Sequence, residues 1–108
     1  MSVHQIEDVE GFQTQIRDAG NKLVVIDFFA TWCGPCKMMT PVFEELAREF
    51  TDCIFLKTDV EGRGVEDIAE HYDVTVMPTF IFLKKCKKVG EFAGAVPEKL
   101  REAILAVV

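Results

Sequence analysis

The chain has 108 residues, 49% hydrophobic and 28% charged, with four cysteines and a net charge of −6 at pH 7. That length suits a single domain over residues 1–108 with a core of its own. The acidic balance argues against nucleic acid as the main partner, because phosphate binding needs a basic face.

The N-terminal stretch Met1-Ser2-Val3-His4-Gln5-Ile6-Glu7-Asp8 has no basic start and no apolar centre, so it does not read as a secretory signal. Val9, Phe12, Ile16 and Ala19 fall at helical spacing, and Gly20 follows as a stop. Leu23-Val24-Val25-Ile26-Asp27-Phe28-Phe29-Ala30 is a short, nearly continuous apolar run, which suits a central strand covered on both faces. It is too short to span a bilayer, so no membrane association is expected. Met39, Val42, Phe43, Leu46, Ala47 and Phe50 form a strong helical stripe, with Pro41 inside it as an expected kink. Ile54 to Asp59 reads as a strand, and Val65, Ile68, Ala69 and Tyr72 as a short helix. Thr79 to Leu83 reads as a strand, Lys84 to Lys88 as a turn, and Val89 to Phe92 as a shorter strand. Pro97 opens a last helix with Leu100, Ala103, Ile104 and Val107 buried.

The expected order is β-α-β-α-β-α-β-β-α, an α/β protein. Strand–helix alternation predicts parallel strands joined by right-handed crossovers, and the closing hairpin predicts an antiparallel edge. A cytoplasmic, reducing setting is expected. There, four cysteines point to catalysis, metal or core packing rather than to a disulfide framework.

Trp32-Cys33-Gly34-Pro35-Cys36-Lys37 lies where the apolar strand hands over to the long helix. Residues three apart in a helical turn share a face. Cys33 sits at the helix start, where unpaired N–H groups favour negative charge. That favours the thiolate, the reactive form of cysteine. Gly34 allows a tight turn, and Pro35 fits the first helical turn and stiffens it. Cys33 is then placed to attack a disulfide, and Cys36 to resolve the mixed disulfide in an effectively intramolecular step. Two other readings compete. The pair is half of a zinc site, or it is inert core. Zinc wants four ligands, usually with a second close pair, whereas His4, Cys53, His71 and Cys86 are scattered singly. No metal is expected, and His4 and His71 read as structural or surface residues. The strand–CxxC–helix context favours redox chemistry.

The segment Phe28 to Lys37 resembles the active-site segment of the thioredoxin family. Asp27 matches its buried acid, Pro41 its helix-kinking proline and Lys57 its buried lysine. Met77-Pro78-Thr79 matches its cis-proline segment, and Val89 to Ala95 its last strand and glycine. The resemblance covers essentially the whole chain. It implies the thioredoxin fold, a mixed central sheet of five strands flanked by four helices. It also implies a general protein-disulfide reductase with no bound cofactor, acting through a reversible Cys33–Cys36 disulfide. The electrons would come from NADPH through the flavoenzyme thioredoxin reductase, and the partners would be that enzyme and disulfide-containing proteins. An oxidase or isomerase, or a module that binds partners only in one redox state, are the alternatives. Pro35 weighs against the oxidase.

Within the resemblance, Asp27 takes a proton from Cys36 and Lys57 tunes the charge of Asp27. Read alone, Asp27 is either such an acid or a strand-end group facing solvent, and Lys57, alternating with Phe55, has no assigned face. X-Pro bonds are cis in only about 5–6% of cases. The resemblance nonetheless implies a cis Met77–Pro78 bond that sets the Met77 backbone beside Cys33 for an extended substrate. Trp32 is core or the flank of a docking surface. Gly94 and Ala95 allow close approach of a partner or simply form a turn.

The chain departs from the family in two places. Cys86 stands at a hairpin turn where the family often has Gly, among Lys84, Lys85, Lys87 and Lys88, a cluster that reads as a solvated tip. Glu61 to Glu66 looks slightly long, which leaves the approach to the third helix open. Cys53 and Cys86 are expected on strands two spacings apart, roughly 9–10 Å, too far for a disulfide. The chain is expected to be a monomer, with oxidation-induced dimers or glutathionylation through an exposed Cys86.

Overall fold

In the computed structural model, which describes residues 3–108, nine elements follow in the expected order. Met1 and Ser2, at the head of the N-terminal stretch, lie outside the described residues. The strands are β1 (Val3–Gln5), β2 (Val24–Phe29), β3 (Ile54–Asp59), β4 (Thr79–Lys84) and β5 (Lys87–Ala93). The helices are α1 (Val9–Asp18), α2 (Gly34–Glu49), α3 (Glu66–His71) and α4 (Pro97–Leu105). Asp8 caps α1 by accepting the Gly11 N–H at 2.7 Å, and Gly20 leaves that helix with φ +61°. Helix α2 runs on across Pro41.

The sheet order is β1-β3-β2-β4-β5. β1 and β2 run parallel to β3, β4 runs antiparallel to β2, and β5 antiparallel to β4. The sheet is mixed as expected, but the antiparallel part is not confined to the closing hairpin. The parallel crossover predicted between β3 and β4 does not occur. Its six-residue helix α3 is only about 9 Å long, against about 20 Å for the strand it follows. It therefore does not carry the chain back to the far end of the sheet, and β4 starts from the end where β3 left.

Alternation along β2 splits the core. Val24, Ile26 and Phe28 join Phe12, Leu56, Ile68, Ile81 and Leu83 on one face of the sheet. Val25 joins Met39, Phe43, Phe55, Phe80, Leu100 and Ile104 on the other, beneath α2 and α4. Asp27 takes its turn on that second face.

The β4–β5 turn is shorter than predicted. Lys85 and Cys86 alone make it, at φ 53° and 66°, the left-handed pair of a two-residue type I′ hairpin. Lys87 and Lys88 continue the ladder, where exposed lysines suit an edge strand. The register shifts between Phe82 and Leu83, so Val89 is left over and Gly90 lies opposite Phe82. A Cβ at Gly90 would come 3.1 Å from the Phe82 ring. The turn lies at the pole opposite Phe28 and Thr79, and the exposed Cys86 points its Sγ at the Ile16 carbonyl, 3.6 Å away. Cys53 and Cys86 are both free; Cys53 stands just before β3 and Cys86 in the turn after β4, and β3 and β4 flank β2.

Neither turn residue is one that accepts positive φ without cost, about 1–2 kcal/mol for an ordinary residue. The double substitution Lys85→Asn, Cys86→Gly supplies the preferred Asn-Gly pair. It is expected to raise the unfolding free energy in urea by about 1 kcal/mol, and a lowered midpoint would contradict the turn assignment.

Candidate active site at the start of the second helix

β2 ends at Phe29, and the Cys33 N–H donates back to the Ala30 carbonyl at 3.1 Å, turning the chain into α2. Cys33 is the N-cap residue, and its Sγ accepts the Cys36 N–H at 3.2 Å. The one-turn spacing leaves the two Cα atoms 5.3 Å apart, and the sulfurs are paired, a separation that suits a disulfide. Pro35 occupies the first turn, where its missing donor costs nothing. The pair is shielded. Cys33 is 5% exposed and Cys36 4%, packed with Ala30, Phe29, Val60 and Met77.

Asp27 is 3% exposed, so the solvent-facing alternative is excluded. Burial pushes its carboxyl from the ordinary 3.8 up to about 7, with the Lys57 charge pulling the other way. Desolvation disfavours the ionised form and wins here because the compensation is thin. Among the described residues Oδ1 has no hydrogen-bond partner. Lys57 pairs with Asp27 in the β2–β3 register, which settles its face. Lys57 is half-buried, and its Nζ lies 4.7 Å from the centre of the Phe29 ring. A cleft of about 280 Å³ lined by Phe29, Thr31, Cys36, Lys37, Thr40 and Lys57 runs beside the buried Cys36 and the half-buried Lys57.

The Met77–Pro78 bond is cis, and the Met77 carbonyl lies 3.8 Å from Cys33 Sγ. Gly94, at φ +126°, donates its N–H to the Pro78 carbonyl at 3.0 Å. This bond ties the end of β5, with Ala95 beside it, to the same surface. Trp32 is 65% exposed, not core, and its Nε1–H donates to Glu61 at 2.9 Å. Val76, which precedes Met77, and Val96, which follows Ala95, are also exposed. The site therefore brings together Asp27, Trp32, Cys33, Gly34, Pro35, Cys36, Lys57, Met77, Pro78, Gly94 and Ala95. Sequence reasoning missed Phe29, Glu61 and Val76. Phe29 carried a signal, since it stands two residues after Asp27 on the same face of a strand. His71 packs edge-on against Tyr72 instead, and among the described residues no three His, Cys, Asp or Glu side chains form a metal-binding group.

The folded-state rise at Asp27 has a defined sign in stability. Below pH 4 the carboxyl is protonated in both states and costs little. Between pH 4 and pH 7 the unfolded chain ionises it while the folded chain holds the proton, so stability falls as pH rises. The full penalty, on the order of 4 kcal/mol, is reached above pH 7. Asp27→Asn is expected to gain stability over the native chain progressively across that window, by denaturant titration of the oxidised protein. A gap that does not change with pH would contradict the burial argument.

The sequence model of the family described as Thioredoxin matches residues 2–106. Human thioredoxin is 51% identical over 102 residues, covering 94% of this chain and 95% of its own. Chicken (Gallus gallus) thioredoxin is 48% identical over 106 residues, covering 98% and 99%. The reduced Schistosoma mansoni thioredoxin pre-protein superposes with a TM-score of 0.93 at 39% identity over the full length of both chains. Thioredoxin f2, solved in complex with ferredoxin:thioredoxin reductase, superposes at 0.91 and 37% identity, covering 97% of this chain and 94% of the matched chain. With a cysteine pair at the helix start beside a buried acid, the chain belongs to the thioredoxin family of thiol–disulfide oxidoreductases and is a protein-disulfide reductase.

Proposed function

We propose that Cys33 is the attacking thiol, Cys36 the resolving thiol and Asp27 the acceptor of its proton. The observation that supports this is the paired Cys33 and Cys36 at the start of α2, with Cys33 Sγ 3.8 Å from the Met77 carbonyl, on the connection that follows the strand carrying the buried Asp27. Cys33 carries the more favoured thiolate, because it lies at the N-terminus of α2 and accepts the Cys36 N–H. Its sulfur attacks one sulfur of a target disulfide, that bond breaks, and the other target sulfur leaves as thiolate. Asp27 as carboxylate then takes the Cys36 proton. Cys36 attacks the Cys33 sulfur, the second target sulfur leaves, and two electrons have passed from the dithiol to the target. Lys57 sets how readily Asp27 holds the proton, and Gly34 and Pro35 fix the spacing of the two sulfurs.

An extended target segment lies along the Met77 backbone at the cis-proline, with Trp32, Gly94 and Ala95 flanking it. The small residues allow close approach, and the indole gives apolar area beside the nucleophile. The oxidised pair is re-reduced with electrons from NADPH by the flavoenzyme thioredoxin reductase, in the cytoplasm. The complex of thioredoxin f2 with a ferredoxin-type reductase supports a reductase as partner and leaves its type to experiment. The working unit is residues 1–108 as a monomer. The exposed Cys86 is the position through which an oxidant such as peroxide would join two chains.

Insulin reduction driven by NADPH and the flavoenzyme tests the scheme. Cys33→Ser is expected to abolish it, and Cys36→Ser to accumulate a covalent complex through Cys33. Asp27→Asn is expected to leave the first attack unchanged and to slow release of the mixed disulfide near pH 7 by roughly 10–100-fold. An unchanged pH–rate profile for release would remove Asp27 from the mechanism.

A further inference from the structure

Among the described residues Lys57 is the cation whose charge acts on Asp27, and it forms no ion pair with a carboxylate there. The ion pairs among the described residues are Lys88–Glu91 and Arg101–Glu49. What lies against the ammonium is an aromatic face, with Nζ 4.7 Å from the centroid of the Phe29 ring. That separation is within the reach of a cation–π attraction, which strengthens as the cation loses water. Asp27 and Phe29 stand two apart on β2, and Lys57 is the register partner of Asp27 on β3. All three side chains therefore share one face of the sheet. Phe29 and Lys57 are both half-buried and both line the cleft that opens beside Cys36.

A long lysine side chain at the lip of an open cleft has an obvious alternative, which is to extend into water. We infer that Phe29 is a positioning residue for the disulfide exchange: its ring face keeps the Lys57 ammonium at the cleft, so that the lysine charge continues to act on Asp27. The other groups around the cleft do not duplicate this. α2 contributes Cys36, which is bonded to Cys33 in the oxidised protein, together with Lys37 and Thr40. β4 sets the uncharged Phe80 against Asp27. Of these, only Lys57 combines a charge with a fixed strand position opposite the acid.

The inference takes its catalytic meaning from the proposed transfer of the Cys36 proton to Asp27. The field at Asp27, however, exists in the oxidised protein whether or not that transfer takes place. Oxidised protein therefore provides the test, since neither active-site cysteine titrates there. The Asp27 side-chain carboxyl carbon is followed by NMR from pH 4 to pH 10 in the native chain, Phe29→Leu, Lys57→Met and the double variant. Phe29→Leu is expected to move the Asp27 midpoint upward by about half a pH unit, because the lysine swings out and its charge is screened. Lys57→Met is expected to move it at least as far. The double variant is expected to match Lys57→Met alone, and Phe29→Tyr, which keeps the ring, to stay at the native midpoint.

A midpoint unchanged or lowered in Phe29→Leu overturns the inference. So does an equal rise from Phe29→Leu in the Lys57→Met background, which would assign the effect to altered burial. If Phe29→Leu does not fold, Phe29→Met carries the same comparison, since its flexible side chain fills similar volume without a ring. A raised midpoint with an unmoved pH profile for mixed-disulfide release upholds the inference and refutes the proton-transfer reading of Asp27.

Discussion

One carboxyl group is held out of water on the central strand, and the architecture around it follows from that. β2 has neighbours on both sides and helices over both faces, so every side chain on it except Phe29 is buried. Five of its six residues are apolar and meet that condition easily. Asp27 does not. A buried acid without a full set of partners costs several kcal/mol if ionised, so it holds its proton to near neutral pH. A domain of this size has only about 5–15 kcal/mol of net stability. The surrounding aromatic core of Phe43, Phe55 and Phe80 therefore has to support a group that weakens it. The proposed transfer of the Cys36 proton near pH 7 would give that cost a use.

The second constraint is where β2 ends. The chain turns at Ala30 straight into α2, so the helix start, with its free N–H groups, falls at the edge of the sheet just beyond the acid. Cys33 meets those donors as the N-cap residue, and Cys36 follows one turn further along the helix. A second chain segment, the Met77–Pro78 turn, reaches the same point because β4 begins at the end of the sheet where β3 finishes. The reversed direction of β4 thus has a functional consequence. It brings a backbone edge to within 3.8 Å of the Cys33 sulfur, and the Gly94 N–H pins the last strand beside it. Both cysteines are nearly closed off from solvent there.

Much of this was legible in the amino-acid order. The apolar run around Asp27, the stripe of α2 and the CxxC at their junction carry strong local signals, because period and spacing encode which face is buried. Four things were not legible locally. The direction of β4 depends on how far a helix of six residues carries the chain, and strand–helix alternation alone suggests a parallel return. The turn at Lys85-Cys86 lacks the Gly or Asn that normally marks positive φ, so its two-residue length was hidden among lysines. The face of Lys57 and the partner of its ammonium depend on register with β2, which no single strand contains. Likewise Trp32 and Glu61 meet only because two loops converge at one end of the sheet.

The Cys33–Cys36 pair is a donor of electrons to protein disulfides. The exposed indole of Trp32, next to the pair, offers a fluorescence reporter of its redox state. The most direct measurement is the equilibrium of the full chain, at pH 7, with graded mixtures of reduced and oxidised glutathione. The pair is expected to stay largely oxidised until glutathione is overwhelmingly reduced, which marks it as the stronger reductant. A pair that is fully reduced in a modestly reducing mixture would be an oxidant, and would contradict that expectation.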